Sequence, residues 1–379
     1  MANLPHDIVL DILSRLPVKS LNRFKCVCKP WLSLISDPYF VKMHLNRANS
    51  DPSMNHHRLF TLFPFYSLDY ESPSSCDDVA DKAVAVDHDH DHDHDHDDAI
   101  VNLGFPSKAP QNGVQIVGSC NGLISLAYRA LDVTILWNPS TRQSRELPKP
   151  SFSSDIVSLY GLGYDSSNDD YKVVRASASA GAYDQVKVEV FSSKHNNWRQ
   201  IQSFHKSITI LDDSGTFLNG ALHWRASRGG RDTILALDMA KEEFFEVPQP
   251  ETRDRNISFH SLGVSQGWLS LLCYGYGLEV EIWVMKEYGV MSSWMKMSVV
   301  RGRDIGYCDY MVPICFTKNG EVIVVVDGRK LIRYNVHEKT MKNLKVRNDD
   351  WFEWVIYMES LVSPYADSGN KDRDSHMEE

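Results

Sequence analysis

The sequence predicts an α+β chain of two unlike parts, a small all-α unit at the N-terminus and a large all-β body. Three observations predict this division. Residues 4–45 place apolar side chains at helical spacing. From residue 112 onward, a turn followed by an apolar strand recurs about every 50 residues. Charge is divided in the same way, since the helical segment is basic and the body is close to neutral.

Composition limits the classes of protein that the chain can be. It has 379 residues and is 42% hydrophobic, enough for a sizeable core and more than one domain. The net charge of −10 is concentrated in residues 51–100, which hold 13 Asp/Glu and two Lys/Arg. Residues 1–50 hold seven Lys/Arg and three Asp/Glu, which suits an acidic protein partner. The neutral body argues against a general nucleic-acid-binding surface.

Cysteine usage and the start of the chain indicate a compartment. The seven cysteines form no CxxC pair, which favours reduced thiols over a disulfide framework or a zinc site. Pro5, His6 and Asp7 interrupt the place where a signal peptide needs an apolar run. The apolar runs are too short to cross a bilayer. We therefore expect a soluble protein of the cytoplasm and nucleus, with no cofactor and no membrane or nucleic-acid partner.

Four short helices are expected before residue 48. Pro5 suits the first turn of a helix with an apolar face, and Pro17 ends that helix. The second, third and fourth helices are expected over residues 18–27, 31–35 and 39–47. Helical patterning leaves two interpretations open: a subdomain packed on the body, or a module that docks to another protein.

The order of residues in this segment is more specific than its periodicity. It runs through Leu4-Pro5, Ile8, Ile12-Leu13, Leu16-Pro17-Val18-Lys19-Ser20-Leu21, Arg23-Phe24-Lys25-Cys26-Val27-Cys28-Lys29, Trp31 and Leu34-Ile35. Across its whole length it resembles an F-box of the plant type. The resemblance implies a Skp-type adaptor as partner, and through it a cullin and a RING subunit. It assigns adaptor binding to Leu4, Pro5, Ile8, Ile12, Leu13, Leu16, Pro17, Leu21, Arg23, Val27, Cys28, Trp31 and Leu34.

Residues 49–111 form a connector that already contains the first strands of the body, expected over 58–66 and 100–105. Between them lies a biased insert, about 69–99, in which residues 87–98 hold five His alternating with seven Asp. Imidazole and carboxylate are both metal ligands, so a metal-binding tract is one interpretation. We favour a disordered low-complexity loop, because no scaffold fixes a coordination number there.

Two markers repeat along the body. The first is a turn before an apolar strand, at Asn121-Gly122, Asn219-Gly220, Gln266-Gly267 and Asn319-Gly320. Asn-Gly is a strong hairpin signal, because both residues tolerate positive φ. The second is a polar turn between two strands, starting at Asn138, Ser192, Asp238, Lys286 and Asn335. Two markers with one period describe four short strands per unit, which is typical of a kelch-like propeller blade.

Five such units span about 112–346, and the apolar run at 351–362 is left over. An open stack would expose strand edges, so we expect the leftover strands of both ends to pair as a sixth blade. Five or seven blades, or a β-sandwich of similar length, fit the same spacing. The predicted domains are an F-box over 1–48, the connector over 49–111, a propeller over 112–365 and a disordered tail over 366–379.

The body has its own family resemblance. It contains Asn138-Pro139-Ser140-Thr141-Arg142, Tyr160-Gly161-Leu162-Gly163-Tyr164-Asp165, Asp169-Asp170-Tyr171-Lys172-Val173-Val174, Leu222-His223-Trp224 and Ile282-Trp283-Val284-Met285-Lys286-Glu287-Tyr288. It is similar in these blocks to the F-box-associated domain of plant F-box proteins. The resemblance implies the substrate-recognition subunit of an SCF-type ubiquitin ligase, a non-catalytic receptor that directs a target protein to degradation. A non-degradative scaffold that binds the adaptor remains an alternative.

The target is less well defined than the ligase. The blocks are most similar to a family member that restrains immune receptor levels in plant defence, which implies a nucleotide-binding leucine-rich-repeat receptor as target. Pollen S-locus F-box proteins share the blocks, so a ribonuclease target stays open. Loops on one face of a propeller carry recognition. The candidate target-binding residues in such loops are Arg225, Arg228, Arg231, Arg253, Arg301 and Arg303.

One motif suggests catalysis and lacks the context that it needs. Gly263-Val264-Ser265-Gln266-Gly267 matches the GxSxG nucleophile elbow, which requires a strand before it and a helix after it. Here residues 268–274 read as a strand, and the repeat register makes Gln266-Gly267 a hairpin turn. His223 and His260 lie in β segments and are expected to be packed or surface histidines. We therefore expect no catalytic residues and no metal site.

Overall fold

The computed structural model describes residues 5–51, 56–62, 65–72, 76–77, 100–104, 106, 113–151, 156–179, 182–205, 207–251, 258–274, 279–305, 308–344 and 353–365. Most of the insert predicted at about 69–99 and the predicted tail at 366–379 lie outside these ranges. Residues 69–72 and 76–77 of that insert are described, and Cys76–Asp77 form a strand that pairs with Asn343 and Leu344 at the outer edge of a blade, so this part of the insert is ordered rather than disordered. Within them, no helix has both the length and the apolar character that crossing a membrane requires.

Four helices open the chain, as the sequence predicts: α1 His6–Ser14, α2 Val18–Phe24, α3 Lys29–Ile35 and α4 Pro38–Ser50. Prolines mark their starts, because a residue without an N–H costs little in a first helical turn. Asp37 caps α4, where its Oδ1 accepts hydrogen bonds from the backbone N–H of Tyr39 at 2.9 Å and of Phe40 at 3.3 Å.

The body is a ring of six antiparallel sheets. Before the repeats come β1 His57–Leu62, β2 Tyr66–Leu68, β3 Cys76–Asp77 and β4 Ile100–Asn102. Blade one follows with β5 Val114–Cys120, β6 Leu123–Tyr128, β7 Val133–Asn138 and β8 Gln143–Glu146. Blade two comprises β9 Ile156–Asp165, β10 Asp170–Ser179, β11 Ala182–Ser192 and β12 Asn197–Ile201.

Blade three comprises β13 Ile208–Ile210, β14 Thr216–Leu218, β15 Ala221–Arg228, β16 Arg231–Asp238 and β17 Phe244–Val247, with β13 and β14 sharing the inner position beside β15. Blade four comprises β18 Ser258–Ser265, β19 Trp268–Tyr274, β20 Glu279–Met285 and β21 Trp294–Arg301. A short helix, α5 Gly302–Ile305, leads to blade five, with β22 Met311–Phe316, β23 Val322–Val326, β24 Lys330–Asn335 and β25 Thr340–Leu344. The last strand is β26 Glu353–Met358.

The sixth blade confirms the predicted closure by both ends of the body. Its strand order is β26-β1-β2-β4, so the innermost strand comes from the end of the chain and the other three from its beginning. β26 and β1 pair over six residues, from His57 opposite Met358 to Leu62 opposite Glu353. The single strand expected at 58–66 is in fact the hairpin β1–β2. Pro64, which lacks the N–H that a central strand must donate, falls between them.

Three of the four repeated turns have the predicted conformation, and at Asn319-Gly320 only the glycine has positive φ. Both central residues have positive φ at Asn121-Gly122, Asn219-Gly220 and Gln266-Gly267. Between the blades lie apolar clusters in which large aromatic side chains are buried, such as Trp137 and Trp224. Trp198 and Trp294, in the outer strands of blades two and four, donate hydrogen bonds to the carbonyls of Pro148 and Pro248 at 2.7 and 2.8 Å. These indoles fill the space between blades.

Chain direction sorts the connections onto two faces of the ring. Turns between the first and second strands of a blade, and between its third and fourth strands, lie on one face, here called the near face. Connections between the second and third strands, and between successive blades, lie on the other, here called the far face. The inner strands surround a central channel of about 1550 Å³.

Candidate adaptor-binding and target-binding surfaces

The helical unit sits on the near face of blades one and two. Asn22 Nδ2 donates to the carbonyl of Ser140 at 2.8 Å, in the turn between β7 and β8. Lys42 Nζ lies 3.1 Å from the carboxylate of Asp169, in the turn between β9 and β10. Leu45, on α4, packs in one cluster with blade-one core residues. The helices therefore combine both interpretations of the sequence, since they pack on the body and still present a surface.

The exposed surface of the helical unit includes several large aliphatic side chains. On α1, Ile8 and Ile12 lie one helical turn apart and are 43% and 47% exposed. At the connection from α2 to α3, Val27 and Leu32 are 61% and 47% exposed. A soluble chain rarely leaves several large aliphatic side chains uncovered on one small unit without a partner. These residues are therefore candidates for a protein–protein contact.

The predicted adaptor-binding residues divide by burial. Exposed members of the set are Pro5, Ile8, Ile12, Pro17, Arg23, Val27 and Cys28. Half-buried members are Leu16, Trp31 and Leu34. Leu13 and Leu21 are 2% and 0% exposed and form the unit's own core, so they hold the helices together rather than face a partner. Leu4 lies outside the described residues.

Burial also shows what the sequence reasoning missed. Leu32 is exposed on α3 and was not among the predicted residues. Its signal was present: in the sequence Trp31-Leu32-Ser33-Leu34-Ile35, both Leu32 and Leu34 are apolar, and only a register for α3 decides which one faces inward. Tyr39, at 72% exposure, is a second large apolar residue that the pattern did not single out.

Not every basic residue of the unit is available to an acidic partner. Arg15 and Arg47 both contact the carboxylate of Asp11, at 3.0 and 3.2 Å. Their hydrogen bonds, that of Arg15 foremost, lower the pKa of Asp11. Arg23 and Lys29 are exposed. Positive charge beside the exposed aliphatic residues therefore comes from α2 and α3, where it would complement an acidic adaptor surface.

All predicted target-binding arginines that the structure describes lie towards the far face, opposite the helices. Arg228 and Arg231 flank the turn between β15 and β16, and Arg301 and Arg303 lie at the connection from blade four to blade five. Arg225 lies in β15, three residues before the end of that strand. Arg253 lies outside the described residues. The topology thus brings the described candidates to one side of the ring.

Four of these arginines already have intramolecular partners, of which Arg303 has the most distant, Asp304 at 4.0 Å. Arg225 Nε donates to Asp212 Oδ1 at 2.8 Å and Nη1 donates to the Phe259 carbonyl at 2.5 Å, which ties blade three to blade four. Arg228 pairs with Glu246 at 2.5 Å, and Arg301 with Glu279 at 2.8 Å. The hydrogen bond that Arg301 donates to the Glu279 carboxylate raises the pKa of Arg301.

Arg225 therefore has a structural role, because it connects blade three to blade four. Burial raises the pKa of its partner Asp212, an effect that the neighbouring guanidinium of Arg225 opposes. Arg231 and Arg303 are the more exposed members of the set, with 73% of the Arg303 side chain accessible. The exposed aliphatic Leu131, 52% accessible, lies in the second-to-third-strand connection of blade one and so adds an apolar element to the far face.

The GxSxG segment is a β-hairpin. β18 ends at Ser265, Gln266-Gly267 form the turn, and β19 follows, so the strand-turn-helix geometry of a nucleophile elbow is absent from this segment. Ser265 is 4% exposed. His223 is fully buried and neutral in character: its Nδ1–H donates to the Thr216 carbonyl at 3.1 Å, and its Nε2 accepts from the Tyr288 hydroxyl at 2.6 Å. Burial lowers the pKa of His223 to about 4.

Metal binding finds no support in the described part of the chain, where no three His, Cys, Asp or Glu side chains are grouped as metal ligands. The His/Asp tract at residues 87–98 lies outside that part, so its two interpretations both stand.

Comparison with known proteins agrees with this architecture. A model of the F-box domain matches residues 1–43, and a model of the F-box associated beta propeller domain matches residues 82–364. An F-box/kelch-repeat protein of Arabidopsis thaliana is 31% identical over 96% of this chain and 96% of its own length. The F-box protein CPR1 of Arabidopsis thaliana is 32% identical over 92% of this chain and 86% of its own length.

An F-box implies binding to a Skp1-type adaptor, and a propeller joined to it implies a substrate bound by the propeller. Chains of this kind are typically adaptor or receptor subunits. With a small helical unit on a six-bladed ring and both family models matched in order, the chain belongs to the F-box proteins that carry an F-box associated beta propeller domain.

Proposed function

We propose that this chain is the substrate-recognition subunit of an SCF-type ubiquitin ligase that directs its target to proteasomal degradation. One observation supports the proposal above the others. The exposed aliphatic residues of the helical unit and the far-face loops lie on opposite sides of the propeller. A receptor with this arrangement can hold an adaptor and a target at the same time, without competition for one surface.

In this proposal the chain supplies proximity rather than bond-making groups. The helical unit buries Ile8, Ile12 and Val27 against a Skp-type adaptor, with Arg23 and Lys29 at the rim. The adaptor brings a cullin and a RING subunit, and the ubiquitin-loaded enzyme performs the transfer. Holding the target near that enzyme converts a bimolecular encounter into a local one. The chain is then a non-catalytic subunit.

For the target, we propose a nucleotide-binding leucine-rich-repeat immune receptor. The similarity to the family member that restrains immune receptor levels supports this choice, and a ribonuclease is the competing candidate. We also propose that the protein acts in the cytoplasm and nucleus. Free thiols support that location, since Cys120, Cys273, Cys308 and Cys315 are buried without disulfide partners.

The adaptor arm is tested with point variants instead of a deletion of residues 1–48. A deletion would also uncover blade one, because Leu45 and Ala48 of α4 are part of its packing. The informative variant is Ile8→Asp/Ile12→Asp. Its matched control is Met295→Asp, equally apolar and 47% exposed but on the outer strand of blade four.

The expected result is loss of the Skp-type adaptor from affinity purifications of the double variant and its retention by the control. Adaptor retained by the double variant contradicts the assignment of the helical surface. Purification under proteasome inhibition then identifies proteins held by both forms, which are target candidates. A target whose abundance stays unchanged when this chain is removed indicates a non-degradative scaffold instead.

A further inference from the structure

The chain does not leave the propeller after β26. Residues 360–365 cross the near face of blade one, beneath the helical unit, and their side chains enter two cores. Leu361, 4% exposed, joins the cluster of Leu13, Leu21 and Phe40 inside the helical unit. Val362, 6% exposed, joins the blade-one cluster that also holds Leu45 and Ala48. One short segment thus completes the core of the helices and links it to the ring.

Asn138 holds this segment in place. Its Nδ2 donates to the carbonyls of Ser360 at 3.1 Å and Val362 at 2.7 Å, and the side chain is fully buried. Its Oδ1 accepts from the backbone N–H of Ser140 at 2.8 Å and of Thr141 at 3.3 Å, which forms the turn after β7. The amide therefore uses its two ends for two purposes, one local and one between distant parts of the chain.

In blades three and five, the residue at the same position accepts the turn hydrogen bonds. Asp238 stands at the same turn position in blade three, where Oδ1 accepts from the N–H groups of Ala240 and Lys241. Asn335 stands there in blade five and accepts from His337 and Glu338, both at 3.0 Å. A carboxylate thus serves the turn as well as an amide does. The blade-one position differs in that the Nδ2 group of Asn138 donates to two carbonyls of a distant segment, which a carboxylate could not do.

Further contacts extend the attachment along the segment. Arg145 Nη1 donates to the Pro364 carbonyl at 3.2 Å, and its guanidinium lies 5.7 Å from the centre of the Tyr365 ring. The Tyr365 hydroxyl donates to the Ser144 carbonyl at 2.8 Å. Ser360 Oγ donates to the Asn121 carbonyl at 2.8 Å. The segment is fixed to blade one at both its ends.

We infer that residues 360–365, held by Asn138, act as a latch that fixes the orientation of the helical unit on the propeller. The attachment of the helical unit by this segment does not depend on the proposed function. The effect of that attachment on ubiquitin transfer rests on the proposed function. If the adaptor binds one face and the target the opposite face, the angle between helices and ring sets where the target lies relative to the ubiquitin-loaded enzyme. Asn138 is then a positioning residue for ubiquitin transfer.

The test uses the full chain with Asn138→Asp, which keeps the turn acceptor and removes the donor. Asn335→Asp is the matched control, with the same residue in the same turn. Hydrogen exchange followed by mass spectrometry measures the opening of residues 359–365 and α4. We expect at least tenfold faster exchange in both segments for Asn138→Asp, and wild-type rates in both segments for the Asn335→Asp chain. Wild-type rates in Asn138→Asp would overturn the latch.

Leu361→Ala provides a second variant that leaves blade one untouched, in case Asn138→Asp does not fold. It should increase exchange in α4 in the same way, and wild-type exchange there would again overturn the latch. In a reconstituted ligase, Asn138→Asp should bind the Skp-type adaptor within twofold of wild type and lose at least threefold in the rate of its own ubiquitination.

The two proposals fail in distinguishable ways. A wild-type chain that does not bind the adaptor contradicts the ligase function and leaves the exchange result intact. A variant with fast exchange and an undiminished ubiquitination rate overturns the positioning role, even when the adaptor binds.

Discussion

The effect of Gly122→Ala on stability tests whether the C-terminal segment packs against the first turn of blade one. It occupies the hairpin turn between β5 and β6 with φ of +86°. A Cβ built there would lie 2.1 Å from Ser360 Oγ and 2.7 Å from the Met358 carbonyl oxygen, both in the C-terminal segment that closes blade six. Gly220 and Gly267 occupy the corresponding turns of blades three and four at φ of +75° and +81°, with nothing within 4 Å. The three positions share a backbone conformation and differ in their surroundings.

That difference separates two energetic effects. Alanine in the left-handed region costs roughly 1–2 kcal/mol at any of the three positions. Overpacking in a filled environment adds typically about 1–3 kcal/mol, and at Gly122 one of the contacts is a backbone carbonyl that cannot rotate away. We therefore expect Gly122→Ala to lower the free energy of unfolding by about 2–5 kcal/mol, against about 1–2 kcal/mol for Gly220→Ala and Gly267→Ala.

Urea denaturation followed by tryptophan fluorescence measures the three variants in parallel. Adding Ser360→Gly to Gly122→Ala should recover part of the loss and leave the part due to the Met358 carbonyl, which a double-mutant cycle reports. Equal losses at Gly122 and Gly220 would refute the reasoning, because they would mean that the C-terminal segment does not press on this turn in solution.

Three further predictions follow from burial and charge. Ile12→Asp should abolish adaptor co-purification with an unchanged melting temperature, whereas Leu13→Ala, in the core of the helical unit, should destabilise that unit by about 2–5 kcal/mol in thermal melts. Because burial lowers the pKa of His223 from 6.5 to about 4, the stability that the neutral ring contributes is present above pH 6.5 and is lost as the pH falls towards 4; urea titrations should show a shallower pH slope for His223→Gln than for wild type over that window. Ser265→Ala should change stability by less than about 1 kcal/mol in the same titrations, since its buried Oγ has no hydrogen-bond partner among the residues that the structure describes, and a marked loss would contradict this expectation.

Six blades could be predicted because strands at both ends of the body remain after the five repeat units are assigned. After five units, an apolar strand at 351–362 and two strands before residue 112 were unpaired, and strands with exposed edges are unfavourable. β26 and β1 pair in full register, which is the arrangement that requirement predicts. The spacing alone also fitted five or seven blades, and the pairing of β26 with β1 in the structure decides for six.

The inward and outward faces of α1 could not be separated by pattern alone. Ile12 and Leu13 are neighbours of equal hydrophobicity, and one is 47% exposed while the other is 2% exposed. A helix that is apolar on two faces has one face for its own core and one for a partner, and periodicity marks both alike. Only the packing of α1 against α4 and against Leu361 decides between them.

The arginines of the far face show a second limit. Arg228 and Arg301 are close in sequence to glycines and other charged residues, which suggested free loop positions. Glu246 lies 18 residues from Arg228 on β17, with β16 between the two strands, and Glu279 lies 22 residues from Arg301, directly opposite it on the neighbouring strand. Cross-strand pairing of this kind depends on register, and sequence separation does not reveal it.

Residues 353–365 take part in both the ring and the helical unit. β26 supplies the innermost strand of blade six, and the residues after it supply Leu361 to the helical core. The core of the helical unit therefore includes a residue from the far end of the chain, while the strand pairing of the ring includes no residue from α1 to α3. A chain without residues 353–365 would lose both the innermost strand of blade six and the contact of Leu361 with the core of the helical unit. If residues 360–365 act as the proposed latch, the helical unit reaches its fixed orientation on the propeller only after the last strand has closed the ring.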